Sequence, residues 1–434
     1  MAALVVAMPQ AIAQKAAPAA AAAGAQSDLL AKAGDIAKKV STLRGLSIVH
    51  PIKRGVMTRA EIQKRLVANI DEEYKPGELA AEAVAMKRLG LLPADADYKK
   101  LVLDILTEQI AGFYDPKAKE LYIASWSTTG CDMVMAHEID HALQDQHFNL
   151  EQLIQSSHDN GDVSLARQAL AEGDGMVLMI EYLMAKMGQP PPWGNPLFAK
   201  MIEERMQGTE MAGMSKLAGA PRVLRETLIF PYVAGMAFVI QFRKHHPWKR
   251  IDAVYRKPPL STEHILHPET YKRYERPDRV RVRPLRSLRG YDKIYDNITG
   301  ELGFRIFLRE RGVSEDTANI AAGGWGGDRV AMFAPAGHKP DQVDGVIGVS
   351  YSVWDAGVDA QEMFEAESSA LRNLVKGGTE VASTASRLVL GAGDLVWMVE
   401  RKGDRVVAIF AAPKAKGDAI LGDVWKHWQV RRSR

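Results

Sequence analysis

Residues 134–146, VMAHEIDHALQDQ, restrict the fold of this chain more than any other stretch. Val134, Ile139, Ala142 and Leu143 make the segment apolar on several sides, so it reads as a helix buried in a core. The same segment carries His137, Glu138 and His141. A buried imidazole or carboxylate without a partner costs free energy. Any fold of this chain must therefore bring polar partners, or a metal ion, to this helix. The plainest alternative is a pair of hydrogen-bonded core histidines beside a salt-bridged Glu138.

His137 and His141 are four residues apart, just over one helical turn, and so project from one face. Two imidazole nitrogens placed in this way can hold one Zn²⁺ at about 2.0–2.1 Å each. Glu138 lies beside a ligand and can reach a zinc-bound water without ligating the metal. This is the HExxH arrangement, two ligands and a general base in five residues. A catalytic zinc keeps three protein ligands and one open position. Glu172, 31 residues after His141 in RQALAEGDGMVLMIEYL, is the expected third ligand, because a carboxylate in so apolar a segment is costly unless paired. Its rivals are Glu181 on the same segment, His158, and His147, which falls on a different helical face from His141. Asp174 reads either as a carboxylate that orients a ligand histidine through its second ring nitrogen or as a helix-surface or helix-start carboxylate.

HEIDH followed by Glu172 in AEGDG resembles the gluzincin branch of zinc metallopeptidases. The set GFYDP, AHEIDHALQDQHFNL, AEGDG, FPYVAGMAF, STEHILHPETY and GWGGDR resembles a group of exported bacterial proteins described only as predicted metallopeptidases, over most of residues 100–434. Ile139 and Asp140 depart from the commoner Leu-Thr pair inside the motif, at positions that do not ligate. The resemblance implies zinc-dependent hydrolysis of a peptide or protein substrate. It also implies a zincin layout, in which a strand edge lies over the active-site helix. ELYIAS, residues 120–125, is the expected edge, and an open edge can take a peptide by strand addition. In the expected mechanism His137, His141 and Glu172 hold Zn²⁺, and Glu138 takes the proton of the zinc-bound water. The oxyanion needs a further donor. His264, His267, Tyr271 and Tyr232 are the candidates, in stretches that read as Pro-punctuated loops, and His267 is the choice.

The rest of the chain sets the frame. Its 434 residues suffice for two or three domains. The 56 basic and 53 acidic residues nearly cancel, so charge gives no push toward nucleic acid or an anionic membrane. The basic run at residues 273–289 reads as a solvated, Pro-broken connector. Cys131 stands alone, which excludes an internal disulfide and a cysteine-based zinc ribbon. Next to the motif helix, it reads as a small buried apolar residue. No uninterrupted apolar stretch is long enough to span a membrane, so no stable membrane insertion is expected. Residues 2–14 form a short apolar run ending in Ala-Ile-Ala, the pattern of an export signal, although no basic segment precedes it. The Ala/Pro tract after it reads as a disordered spacer.

The expected fold class is α+β. Residues 1–26 form the signal-like segment and spacer. Residues 27–285 form a mainly helical zincin-like domain with a small hairpin at residues 112–125. Residues 286–434 form a small α+β domain. In the helical domain, helices are expected over residues 59–74, 78–92, 132–146, 164–187, 197–206 and 233–244. In the last domain, DGVIGVSYSVWD alternates as a half-buried strand, AQEMFEAESSALRNLVKG is an amphipathic helix, LVWMVERKGDRVVAIFAA is a hairpin, and AILGDVWKHW is a closing helix. GGWGGDR lacks the ending of a phosphate loop and reads as a turn before the strand DRVAMFAP, with Trp325 docking the two domains.

Overall fold

Alternating apolar positions on two long hairpins and 3.6-residue periodicity elsewhere give an α+β protein, seen in a computed structural model. The structure describes residues 19–109, 112–125, 131–155, 159–195, 198 and 215–433. The signal-like run at residues 2–14, nearly all of the helix expected at residues 197–206, and His158 lie outside the described residues.

The helical part begins with α1 (Ala19–Arg44), so the tract expected to be a disordered spacer is helical from Ala19 onward. Strand β1 (Lys53–Met57) follows, then α2 (Arg59–Glu73), α3 (Glu78–Arg88) and α4 (Tyr98–Gln109). Thr58 and Glu61 close a capping box at the start of α2. The expected hairpin is present as β2 (Gly112–Asp115) and β3 (Glu120–Ala124), joined by a four-residue turn with Lys119 in the left-handed region. The motif helix is α5 (Cys131–Phe148), followed by α6 (Leu150–Gln155) and α7 (Gly161–Lys186).

The small sheet runs β1-β3-β2, with β1 parallel to β3. This corrects the expected edge. Strand β3 is central, because β1 covers the side that the hairpin alone would leave open. Among the described residues, the edge beside α5 is β2.

Beyond α7 come α8 (Ser215–Ala218), α9 (Arg222–Arg243), α10 (Lys249–Arg256), α11 (Thr262–Leu266) and α12 (Pro268–Arg273). FPYVAG is not a loop. Pro231 sits inside α9, where it removes one backbone bond at a cost of roughly 3 kcal/mol. Packing offsets that cost, since Phe230, Tyr232, Met236, Phe238, Val239 and Phe242 are all buried. Helix α9 is long and apolar enough to cross a membrane by length and composition, and half of that stretch is buried inside the protein. Helices α7 and α9 touch backbone to backbone. A Cβ on Gly235 would stand 2.0 Å from the Ala169 carbonyl oxygen, and one on Gly173 would stand 2.2 Å from Gly235. Only glycine permits this approach.

The C-terminal part comprises β4 (Arg279–Arg281), β5 (Tyr291–Asn297), α13 (Gly300–Glu310), α14 (Glu315–Ala322), β6 (Trp325–Pro335), β7 (Ile347–Trp354), α15 (Gly357–Leu374), β8 (Thr379–Thr384), β9 (Arg387–Ala392), β10 (Leu395–Lys402), β11 (Arg405–Pro413), α16 (Gly417–His427) and β12 (Gln429–Arg431). Seven strands form one antiparallel sheet in the order β5-β6-β7-β11-β10-β9-β8. Ile347, Val349, Tyr351 and Val353 pack on one face with α16. The opposite face meets α13, α14 and α15 through Phe304, Phe307, Ala318 and Met363. Strand β7 is therefore buried on both faces, not half-buried as its alternation implies. GGWGGDR is also corrected. Residues 325–329 belong to β6, bulged between Trp325 and Gly327, and Trp325 is buried in the core of the C-terminal part. The two parts meet where Val84 and Ala85 of α3 pack on Val330, Met332 and Ala334 of β6.

Candidate metal centre

The middle of helix α5 is enclosed on every side. Met135, Ala136, Ile139, Ala142 and Leu143 are at most 1% exposed. His137 and His141 therefore point into protein, and α7 supplies what they meet. His137 Nε2 lies 2.9 Å from His141 Nε2 and 3.1 Å from Glu172 Oε2, and His141 Nε2 lies 3.4 Å from Glu172 Oε2. The three donor atoms form one tight triangle, and the group can bind a metal ion. One ion with bonds of about 2.0–2.1 Å spaces its donors roughly 3.4 Å apart in a tetrahedron. The observed separations come within about half an ångström of that value. Glu172 Oε1 is buried without a hydrogen-bond partner, so the carboxylate keeps an oxygen free for an ion.

The electrostatics agree with shared charge. Burial works against a charged His141, but Glu172 overrides it and carries its pKa up to about 10. Burial and the neighbouring His141 push His137 down. Burial opposes a charged Glu172, yet His141 and His137 hold it below the usual carboxylate range. A cation placed between the three satisfies them together.

Glu138 faces the same space. Its Oε2 accepts a hydrogen bond from the Tyr114 backbone N–H of β2 at 2.7 Å, and its Oε1 has no partner. Burial pushes its pKa up to about 8 against the pull of His141. The small sheet therefore fixes the carboxylate that HExxH leaves beside the ligands.

A second layer holds the ligands. His141 Nδ1 lies 3.0 Å from Gln144 Oε1, and the Gln144 amide donates to Asp140 Oδ2 and to the Ala171 carbonyl. With Nδ1 donating to that oxygen, the Nε2 lone pair faces Glu172 and His137. Asp140 leads on to Arg44, whose Nε stands 3.9 Å away. Arg44 is buried and also binds Asp174 and Asp252. On the other side of the cluster, a Cβ on Gly175 would stand 2.7 Å from the His137 ring, so glycine makes room for this ligand.

The other expected residues are placed as follows. Asp174 touches no ligand histidine; it is neither an orienting group nor a surface carboxylate, because Arg44 claims it. Glu181 accepts from Trp193, Trp248 and Arg243, and exposed His147 lies 2.8 Å from the Ser47 carbonyl. His267, the expected oxyanion donor, is paired with Glu301 at 2.9 Å. It lies in the region of Asp162 and Thr262, at the start of α7. Glu172 is ten residues farther along that helix, or roughly 15 Å. His264 and Tyr271 are likewise engaged elsewhere, with the Glu275 and Lys257 carbonyls. Of the four candidates Tyr232 is the one at the cluster, its ring stacked on His137 with centroids 6.4 Å apart. Sequence reasoning gave no role to Tyr114, Gln144, Asp140 and Arg44. Gln144 carries a signal, being three residues after His141 and four after Asp140 on one helix face. Arg44 carries none.

The family model described as a domain of unknown function (DUF8575) matches residues 289–421. That stretch lies in the C-terminal part and contains none of His137, Glu138, His141 and Glu172. No curated protein and no solved structure matches.

Proposed function

We propose that the chain is a zinc-dependent peptidase of gluzincin type, with His137, His141 and Glu172 as the metal ligands and Glu138 as the general base. The supporting observation is the combination of three converging donors with one unpartnered carboxylate oxygen on Glu138. Three ligands leave one position of a tetrahedral site for solvent. Zinc in such a site supplies an acidified water and polarises the scissile carbonyl. The chain's own residues do the remainder. Glu138 takes the water proton on Oε1 and delivers it to the leaving amine nitrogen, while the Tyr114 N–H holds its other oxygen. Gln144 and Asp140 fix the His141 tautomer. Tyr232 replaces His267 as the candidate partner of the oxyanion. The signal-like residues 2–14 support export of the enzyme.

One observation favours a second reading, a non-catalytic protein with a structural zinc. His137, Glu138, His141 and Glu172 are each at most 2% exposed. The test uses the purified full chain, analysed for zinc and assayed against a broad peptide library. The hydrolytic reading expects one zinc per chain and cleavage that falls roughly a hundredfold or more in Glu138→Gln with zinc retained. Zinc without Glu138-dependent cleavage selects the structural reading, and a chain without zinc overturns both.

A further inference from the structure

A cavity of about 170 Å³ lies between the helical part and the C-terminal sheet, away from the metal centre. Most of its wall is apolar, from Met86, Leu165, Leu302, Phe304, Phe307 and Phe410. Its volume is close to the roughly 150 Å³ of an apolar cavity that accommodates benzene. Three carboxylates also line it, Glu82, Asp162 and Glu367, and among the described residues its lining contains no lysine, arginine or histidine.

The three carboxylates are not equivalent. Glu82 accepts from the Tyr74 and Tyr98 hydroxyls. Asp162 accepts from Thr262. Glu367, on α15, is 2% exposed and has no hydrogen-bond or ion-pair partner among the described residues. Burial alone pushes its pKa up to about 8. A lone carboxyl in such surroundings is a standing cost that a matching ligand removes. A neighbouring, more polar cavity of about 300 Å³ shares Glu82, Gly161, Ser164, Tyr295 and Asn297 with the first. Its further charged residues are acidic Glu73, Glu78, Asp159 and Asp296 against basic Lys75 and Lys293. Acidic groups therefore outnumber basic ones along both chambers.

We propose that this cavity binds a hydrophobic primary amine, with an apolar body of about six carbons filling the pocket and the ammonium seated on the Glu367 carboxylate. The apolar wall sets the body, and the unpaired acid without a competing cation sets the head group. The site is independent of the metal centre.

The test is calorimetric titration of the full chain at pH 8 with hexylamine, hexanol and hexanoate, supported by thermal unfolding with each. Hexylamine is expected to bind best, roughly tenfold or more tighter than hexanol, with hexanoate not binding. Glu367→Gln is expected to bring hexylamine down to the level of hexanol. Failure of hexylamine to bind, equal binding of hexanol, or undiminished hexylamine binding by Glu367→Gln overturns the proposal. The amine-over-alcohol preference is measured on the unaltered chain, so the test does not depend on the variant's folding.

Discussion

The Arg44 guanidinium lies 2.9 Å from an Asp174 carboxylate oxygen, and neither side chain is exposed to solvent. Arg44 also reaches Asp252 at 2.8 Å and stacks over the Trp248 ring at 4.5 Å. Burial works against its charge, and Asp174 and Asp140 override that and hold its pKa up. Removing one member of such a cluster leaves buried charge unpaired. Arg44→Met is expected to destabilise the protein by about 3–5 kcal/mol, measured by urea unfolding. A loss under 1 kcal/mol would show that Asp174 and Asp252 find other partners.

Gln144 links that charged cluster to the candidate metal ligands. Gln144→Leu strips the acceptor from His141 Nδ1 and the donor from Asp140. Zinc affinity, measured by chelator competition, is expected to fall roughly 10–100-fold. Unchanged affinity would mean that packing alone sets the His141 ring.

Gly175 supplies a steric test of the same centre. In Gly175→Ala the new methyl carbon meets the His137 ring at 2.7 Å, so the ring must turn or shift. Weaker zinc binding is expected, with a smaller effect on unfolding of the metal-free chain. A variant that binds zinc as tightly as the parent would show that His137 is not held where the structure puts it.

Glu367 makes stability depend on pH. Its pKa rises from 4.5 unfolded to about 8 folded, so between those values the native state holds the extra proton. Stability therefore falls as pH rises through this window. Relative to Glu367→Gln, the parent is expected to lose on the order of 3–5 kcal/mol between pH 4.5 and 8. Parallel stability curves for the two proteins would refute the assignment.

Local rules made the site's core readable in advance. Four-residue spacing put His137 and His141 on one face, and the cost of a bare carboxylate among Ala169, Leu170 and Val177 pointed to Glu172. The hairpin at residues 112–124 announced itself by short apolar runs around a turn. Features made by distant pairing were not readable. Strand β1 carries two basic residues in five and gains its place only by lying parallel to β3. Pro231 argued for a loop, because its sequence neighbours do not reveal that Gly235 will pack on Ala169. The partner of His267 was hidden for the same reason, since Glu301 is 34 residues away in sequence.

The contact between Arg44 and Asp252 joins residues 208 positions apart. A ribosome making this chain releases α1 long before the groups that neutralise its last arginine exist. The Arg44 cluster cannot be completed until synthesis has passed Asp252, and contacts so distant in sequence slow assembly. The charge at the close of α1 thus waits on a partner that synthesis supplies 208 residues later.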